Sequence, residues 1–174
     1  MKNLRFTLSA FVFAVASMLA QPVQAQQGWT PAAADYPAVQ VPVGLKTEPI
    51  INSPAKAYFR TRLREGSSQG SNFGGHYALL QWGCGDGCTT FFILDELNGH
   101  VYEPGFHLTA PKSGADENFG FQYRPDSRLL VMEGCHGNFI DSCGKYYMLW
   151  TGSKLETLVR EPLTTTIAAV GGMQ

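Results

Sequence analysis

The chain has 174 residues, with 13 basic and 14 acidic side chains and a net charge of −1. That length supplies one domain, and a near-neutral balance without a basic stripe excludes the electrostatic footprint a nucleic-acid partner needs. Nineteen glycines, ten prolines and an aromatic content of 12% fit a turn-rich sheet better than a helical bundle.

The first element is a leader. Lys2 and Arg5 form a positive start, residues 8–19 are an apolar stretch, and Val23-Gln24-Ala25 is a small-residue cleavage site. This pattern reads as a secretory signal peptide over residues 1–25, its apolar run too short for a comfortable membrane span. No later run is long enough to span, so no integral membrane segment is expected. No cysteine follows the cleavage site, so a lipid anchor is not indicated. Cleavage removes two bases and no acid, leaving 11 bases against 14 acids. The expected product is exported, and periplasmic if the host is a Gram-negative bacterium.

Residues 26–52 carry Pro31, Pro37, Pro42 and Pro49. Spaced prolines forbid a helix and weaken any central strand, which predicts an extended arm. Val39, Val41 and Val43 alternate and could form one short edge strand. A single domain is expected over 53–163. Ser53-Pro54 opens a helix over 55–65, with Ser as N-cap, Pro at the first helical position and Gly66 as its C-terminal stop. Phe59 and Leu63 would face a sheet, and Arg60, Arg62 and Arg64 read as a solvated face rather than an anion site.

From His76 onward the pattern is strands, expected at 76–82, 89–95, 100–103, 119–124, 128–133, 145–151 and 154–160. Asn98-Gly99 and Gly152-Ser153 supply hairpin turns, and Pro125-Asp126 another. One arrangement occurs twice: an apolar strand, a cysteine-bracketed tip and an aromatic strand. The first tip is Cys84-Gly-Asp-Gly-Cys88 and the second Cys135-His-Gly-Asn-Phe-Ile-Asp-Ser-Cys143. Superposing them gives a period near fifty residues. The predicted fold is α+β: a mainly antiparallel sheet of two duplicated strand–Cys-hairpin–strand units, with one N-terminal helix packed on it. Residues 164–174 are expected to form a flexible tail.

Four cysteines in an exported chain read as two disulfides. Cys84–Cys88 and Cys135–Cys143 are favoured because each pair lies across a hairpin tip; the crossed pairing stays open should the tips touch. A zinc site is disfavoured by the seven residues between Cys135 and Cys143 and by export. A redox-catalytic pair usually has two intervening residues, whereas Cys84 and Cys88 have three. Adjacent Cys135 and His136 do not make a catalytic dyad. The chain also lacks Gly-x-Ser-x-Gly, His-Glu-x-x-His and phosphate-loop motifs. No catalytic residue, metal or cofactor is therefore assigned.

The positive case is recognition. Short disulfide-pinned tips on a rigid sheet probe a concave partner at little ordering cost. Asp86 offers an acceptor in the first tip. His136, Asn138, Phe139 and Asp141 set an apolar anchor among polar groups in the second. His76, at the mouth of the first strand, completes the candidate binding residues. The competing reading is a small enzyme whose His76, Asp86, His136 and Asp141 come together where the tips meet. An envelope-structural or stress-protective protein is the third.

Phe59-Arg-Thr-Arg-Leu-Arg-Glu, Asn72-Phe-Gly-Gly-His-Tyr77, Trp82-Gly-Cys-Gly-Asp-Gly-Cys88 and Asn98-Gly-His-Val-Tyr102 together resemble a family of small exported proteins of Gram-negative bacteria. The resemblance covers most of residues 53–160 and implies location and class, not activity. More locally, the strand–Cys84…Cys88–strand arrangement is similar to the protruding loop with which periplasmic inhibitors of vertebrate-type lysozyme plug an active-site cleft. That likeness covers about twenty residues and implies a cell-wall hydrolase as partner. It departs where those loops carry a His-Asp pair before the second cysteine: here Gly87 follows Asp86, and the first tip holds no histidine.

Overall fold

A computed structural model describes residues 29–41, 47–110, 119–136 and 142–162. The proposed leader (1–25), the tail (164–174), Val43 and tip residues 137–141 lie outside the described residues.

The helical segment forms where Ser53 and Pro54 predict it. Ser53 Oγ accepts a hydrogen bond from Lys56 N at 3.2 Å, with Pro54 in the first turn. The expected single helix is instead two, α1 (Pro54–Tyr58) and α2 (Arg60–Ser67), separated at Phe59, whose φ of −95° and ψ of 12° interrupt the helical geometry. Gly66 is not the stop either, for α2 continues through it to a cap at Ser68. The glycine serves packing: a Cβ there would stand 2.6 Å from Leu80 Cδ2, so its absence lets the helix close onto the sheet. Phe59 and Leu63 face the sheet as expected, Leu63 fully buried and Phe59 against Trp82 and Phe92.

Among the described residues, eight strands form one antiparallel sheet: β1 (Tyr77–Gly85), β2 (Cys88–Asp95), β3 (Val101–Tyr102), β4 (Leu108–Thr109), β5 (Gly120–Gln122), β6 (Leu129–His136), β7 (Cys143–Trp150) and β8 (Leu155–Pro162). The main order is β1-β2-β4-β6-β7-β8, with β3 on β2 and β5 on β6. β4, which the strand pattern did not predict, joins the two long hairpins.

Period-two alternation sorts the side chains into two cores. Tyr77 and Leu79 of β1, Phe91 and Ile93 of β2, Leu108, Leu130 and Met132, and Tyr146, Met148 and Trp150 of β7 pack together on one face. Ala78, Leu80 and Trp82 of β1 and Phe92 and Leu94 of β2 pack on the other, under Leu63 and Phe59. The first hairpin is thus covered on both faces, which explains its nearly unbroken apolar reading. Each fully buried large side chain contributes roughly 1.5–3 kcal/mol of hydrophobic stabilisation.

The arm lies on the domain at two places. Ser127 Oγ donates to Ala33 O at 2.8 Å and Tyr36 O at 3.2 Å, and Arg128 N to Tyr36 O at 2.8 Å. Further along, Ile50 N donates to Gly99 O at 2.8 Å. The edge strand expected of the valines is not formed at Val39 or Val41; Val39 is 85% exposed. The nearest ladder contact of the arm is a single bridge from Pro37 to Ser127, proline having no N–H with which to extend it.

Candidate recognition surface

Both cysteine pairs close across their own hairpins, Cys84–Cys88 and Cys135–Cys143. All four thiols are consumed, which leaves neither a thiolate ligand nor a cysteine nucleophile in this oxidised form. β1 ends at Gly85 and β2 begins at Cys88, so Asp86 and Gly87 make the first turn. The second tip spans the end of β6 and the start of β7.

β4 places these tips side by side. Cys88 pairs in register with Thr109, and Thr109 pairs on its other edge with Cys135. Two inter-strand steps of ~4.8 Å therefore separate the backbones of the two tips, roughly 10 Å in all. Ala110 N donates to Gly87 O at 2.6 Å, tying the first turn to the end of β4. On the other side Thr109 Oγ1 donates to Cys135 O at 3.3 Å.

Asp86 is exposed in the first turn, and His136 is exposed at the end of β6. One side of the His136 imidazole is covered: its centroid lies 4.1 Å from that of Phe106 and 6.1 Å from that of Tyr146. Partial burial, with a smaller contribution from the charge of His107, holds the imidazole below its ordinary value of 6.5 and favours the neutral ring. The start of β7 is braced from behind, where Arg160 donates to Cys143 O at 3.1 Å and lies 5.6 Å over the Tyr146 ring. Asn138, Phe139 and Asp141 belong to the second tip by sequence but fall outside the described residues. Phe106 was missed by sequence reasoning. It lies just before a strand of only two residues, too short to show any alternation.

His76 is not at this surface. It precedes β1, whereas Asp86 follows it, so nine residues of strand separate them, roughly 30 Å at ~3.3 Å per residue. An enzymatic site uniting His76 with Asp86 and His136 is therefore excluded by distance. His76 Nε2 instead lies 3.6 Å from Asp95 Oδ1, and its carbonyl accepts from Glu96 N at 3.1 Å. Asp95 also receives Leu97 N at 2.9 Å and Asn98 Nδ2 at 2.9 Å, which shapes the Asn98-Gly99 turn. Glu96 is 2% exposed, and its Oε1 has no hydrogen-bond partner among the described residues. Burial, then the neighbouring Asp95 charge, raises its pKa.

A half-open groove of about 430 Å³ lies on the outer face of the second hairpin, lined by Pro31, Tyr123, Arg124, Val131, Lys145 and Tyr147 among others. It offers little charge selectivity. Arg124 is held by Asp126 through bonds of 2.8 and 2.6 Å, and Lys145 stands in register between Glu133 and Glu161.

Among the described residues no helix is long and apolar enough to cross a membrane. No family model, no curated protein and no solved structure matches the chain.

Proposed function

We propose that the protein is an exported recognition module that presents its two disulfide-closed tips to a cell-wall hydrolase and blocks the enzyme's cleft. The observation that supports this best is the Cys88–Thr109–Cys135 row, which gathers both tips at one end of the sheet. The bases of the two tips stand roughly 10 Å apart, each closed by a disulfide, and such covalent closure lowers the entropy lost on docking. Asp86 supplies a charged acceptor to that edge, and His136 with Phe106 supplies an apolar, hydrogen-bonding flank of the kind that anchors interfaces.

Export through the leader at residues 1–25 belongs to the same proposal, and two disulfides suit an oxidising compartment. So does the origin of the two hairpins as copies of one strand–tip–strand unit. The resemblance to lysozyme-inhibitor loops gives the partner class, with Asp86 acting without an adjacent histidine.

The test is inhibition of purified peptidoglycan hydrolases by the oxidised protein lacking residues 1–25, alongside capture of envelope proteins on the immobilised protein. Asp86→Ala and the triple variant Asn138→Ala/Phe139→Ala/Asp141→Ala are expected to weaken both at least tenfold, as loss of central interface groups does. Unchanged capture by both variants would remove the tips from the interface and end the reading.

A further inference from the structure

We infer that the Cys84–Cys88 disulfide is a site of thiol–disulfide exchange with an external dithiol, whereas Cys135–Cys143 is a structural bond that the same dithiol leaves closed. The inference extends the recognition reading, since opening this bond would release the tip that carries Asp86. Its chemistry, however, is measured without any partner.

The two bonds differ in access and in what each must expel. Cys84 lies on β1, the outermost strand of its side of the sheet, and is exposed along with Gly83, Gly85, Asp86 and Gly87. Cys88 is half-buried. An incoming thiolate can therefore reach Cys84 Sγ and expel the Cys88 thiolate toward solvent. At the second bond, Cys135 is only 6% exposed and is flanked by buried Gly134 and, across the ladder, buried Gly144. Attack on Cys135 Sγ is sterically blocked. Attack on half-buried Cys143 would expel a thiolate at Cys135, which is only 6% exposed, and burial disfavours the charged leaving group. Exchange rates follow both access and leaving-group stability, so both factors favour the first bond.

The step balances as a two-electron transfer. A thiolate of the dithiol attacks Cys84 Sγ, the Cys84–Cys88 bond breaks, and the Cys88 thiolate takes up a proton. The second thiol of the dithiol then attacks its own mixed-disulfide sulfur and releases Cys84. The products are two cysteine thiols and an oxidised cyclic disulfide. Ring closure by the second thiol completes the step, which a monothiol such as glutathione cannot supply, so the dithiol is the more effective reductant.

Once the bond opens, Gly83, Gly85 and Gly87 leave the turn with few conformational constraints, and Asp86 loses its fixed position. Cys135–Cys143 and the two cores remain intact, so the fold persists while the tip changes state.

The experiment is a time course of the oxidised protein with limiting dithiothreitol, and separately with glutathione, quenched by alkylation and read by peptide mass spectrometry. Cys84 and Cys88 are expected to label at least about tenfold faster than Cys135 and Cys143, and faster with dithiothreitol than with glutathione. The variant Cys84→Ser/Cys88→Ser keeps the inference testable without competition, and its remaining disulfide should survive the same treatment. Equal labelling of both pairs, or earlier labelling of Cys135 and Cys143, overturns the inference. Selective labelling combined with tip-independent capture would overturn the recognition reading alone.

Discussion

Cys88 and Cys135 stand at the same level of the sheet, on either side of Thr109, although 47 positions separate them in the chain. The strand between them, β4, contributes two residues to the ladder. So small an element holds because the strands on both sides come close to it. Gly134 of β6 marks the closest approach: a Cβ there would lie 2.9 Å from Thr109 O and 2.9 Å from Leu108 Cγ, at a φ of 151°.

Gly134→Ala is therefore expected to destabilise the domain by about 2–4 kcal/mol, combining overpacking with a backbone conformation unsuited to a side chain. The clash falls on a backbone carbonyl, which cannot turn aside as a side chain would. Urea denaturation gives the size of the loss, and amide exchange at Leu108 and Thr109 should show β4 loosening first. A variant within about 0.5 kcal/mol of the parent would show that β4 has slack.

Gly66→Ala tests the contact between helix and sheet. Alanine improves intrinsic helix propensity by about 1 kcal/mol, so a solvent-exposed site would be stabilised. Here the new Cβ meets Leu80, whose Cδ2, Cδ1 and Cγ lie 2.6, 2.9 and 3.2 Å away and whose side chain is buried in the core under α2. Overpacking of this kind costs about 1–3 kcal/mol, so a net loss near 1 kcal/mol is expected in thermal or urea unfolding. A gain would mean that Gly66 is only a weak helix residue.

That glycine also shows where sequence reasoning succeeded and stopped. Ser53-Pro54 announced the helix start because capping is local chemistry. Gly66 looked like a stop because nothing local reveals that Leu80, fourteen residues later, needs the space. The long strands and both disulfides were legible for the same local reason: alternation and turn residues bring each cysteine pair to the base of a hairpin. β4 was not legible, because two residues carry no period, and with it went Phe106. His76 was placed in the candidate site by residue type and its place at the mouth of the first strand, whereas strand length puts it at the other end of the sheet from the tips.

The two disulfides should differ in what their loss costs. Closing loops with separations of four and eight residues stabilises by about 2 and about 2.5 kcal/mol in the chain-entropy account. Cys135 is also almost fully buried, and its bond lies beside the β4 junction. Cys84→Ser/Cys88→Ser is expected to cost about 2 kcal/mol or less and to leave the remaining bond formed. Cys135→Ser/Cys143→Ser should cost more than 2.5 kcal/mol, because a buried hydroxyl is added to the lost cross-link. Paired urea titrations measure both, and the reverse order would contradict the burial argument.

Glu96 gives a pH dependence of definite sign. Its pKa in the folded protein is raised above the ordinary value of 4.5 by burial and by the charge of Asp95. Above pH 4.5 the unfolded chain releases this proton while the folded protein retains it. The folded state binds more protons in that window, so the contribution of Glu96 to stability falls as pH rises toward the folded pKa. The carboxyl that must then ionise is almost fully buried, with Oε1 lacking a hydrogen-bond partner among the described residues and Asp95 beside it. Glu96→Gln keeps the shape and cannot ionise. Measured by urea denaturation across the range from pH 4 to pH 8, the stability of Glu96→Gln relative to the parent should rise with pH. A difference that stays constant with pH would mean that Glu96 ionises at its ordinary value, and the buried, uncompensated carboxyl would have to be abandoned.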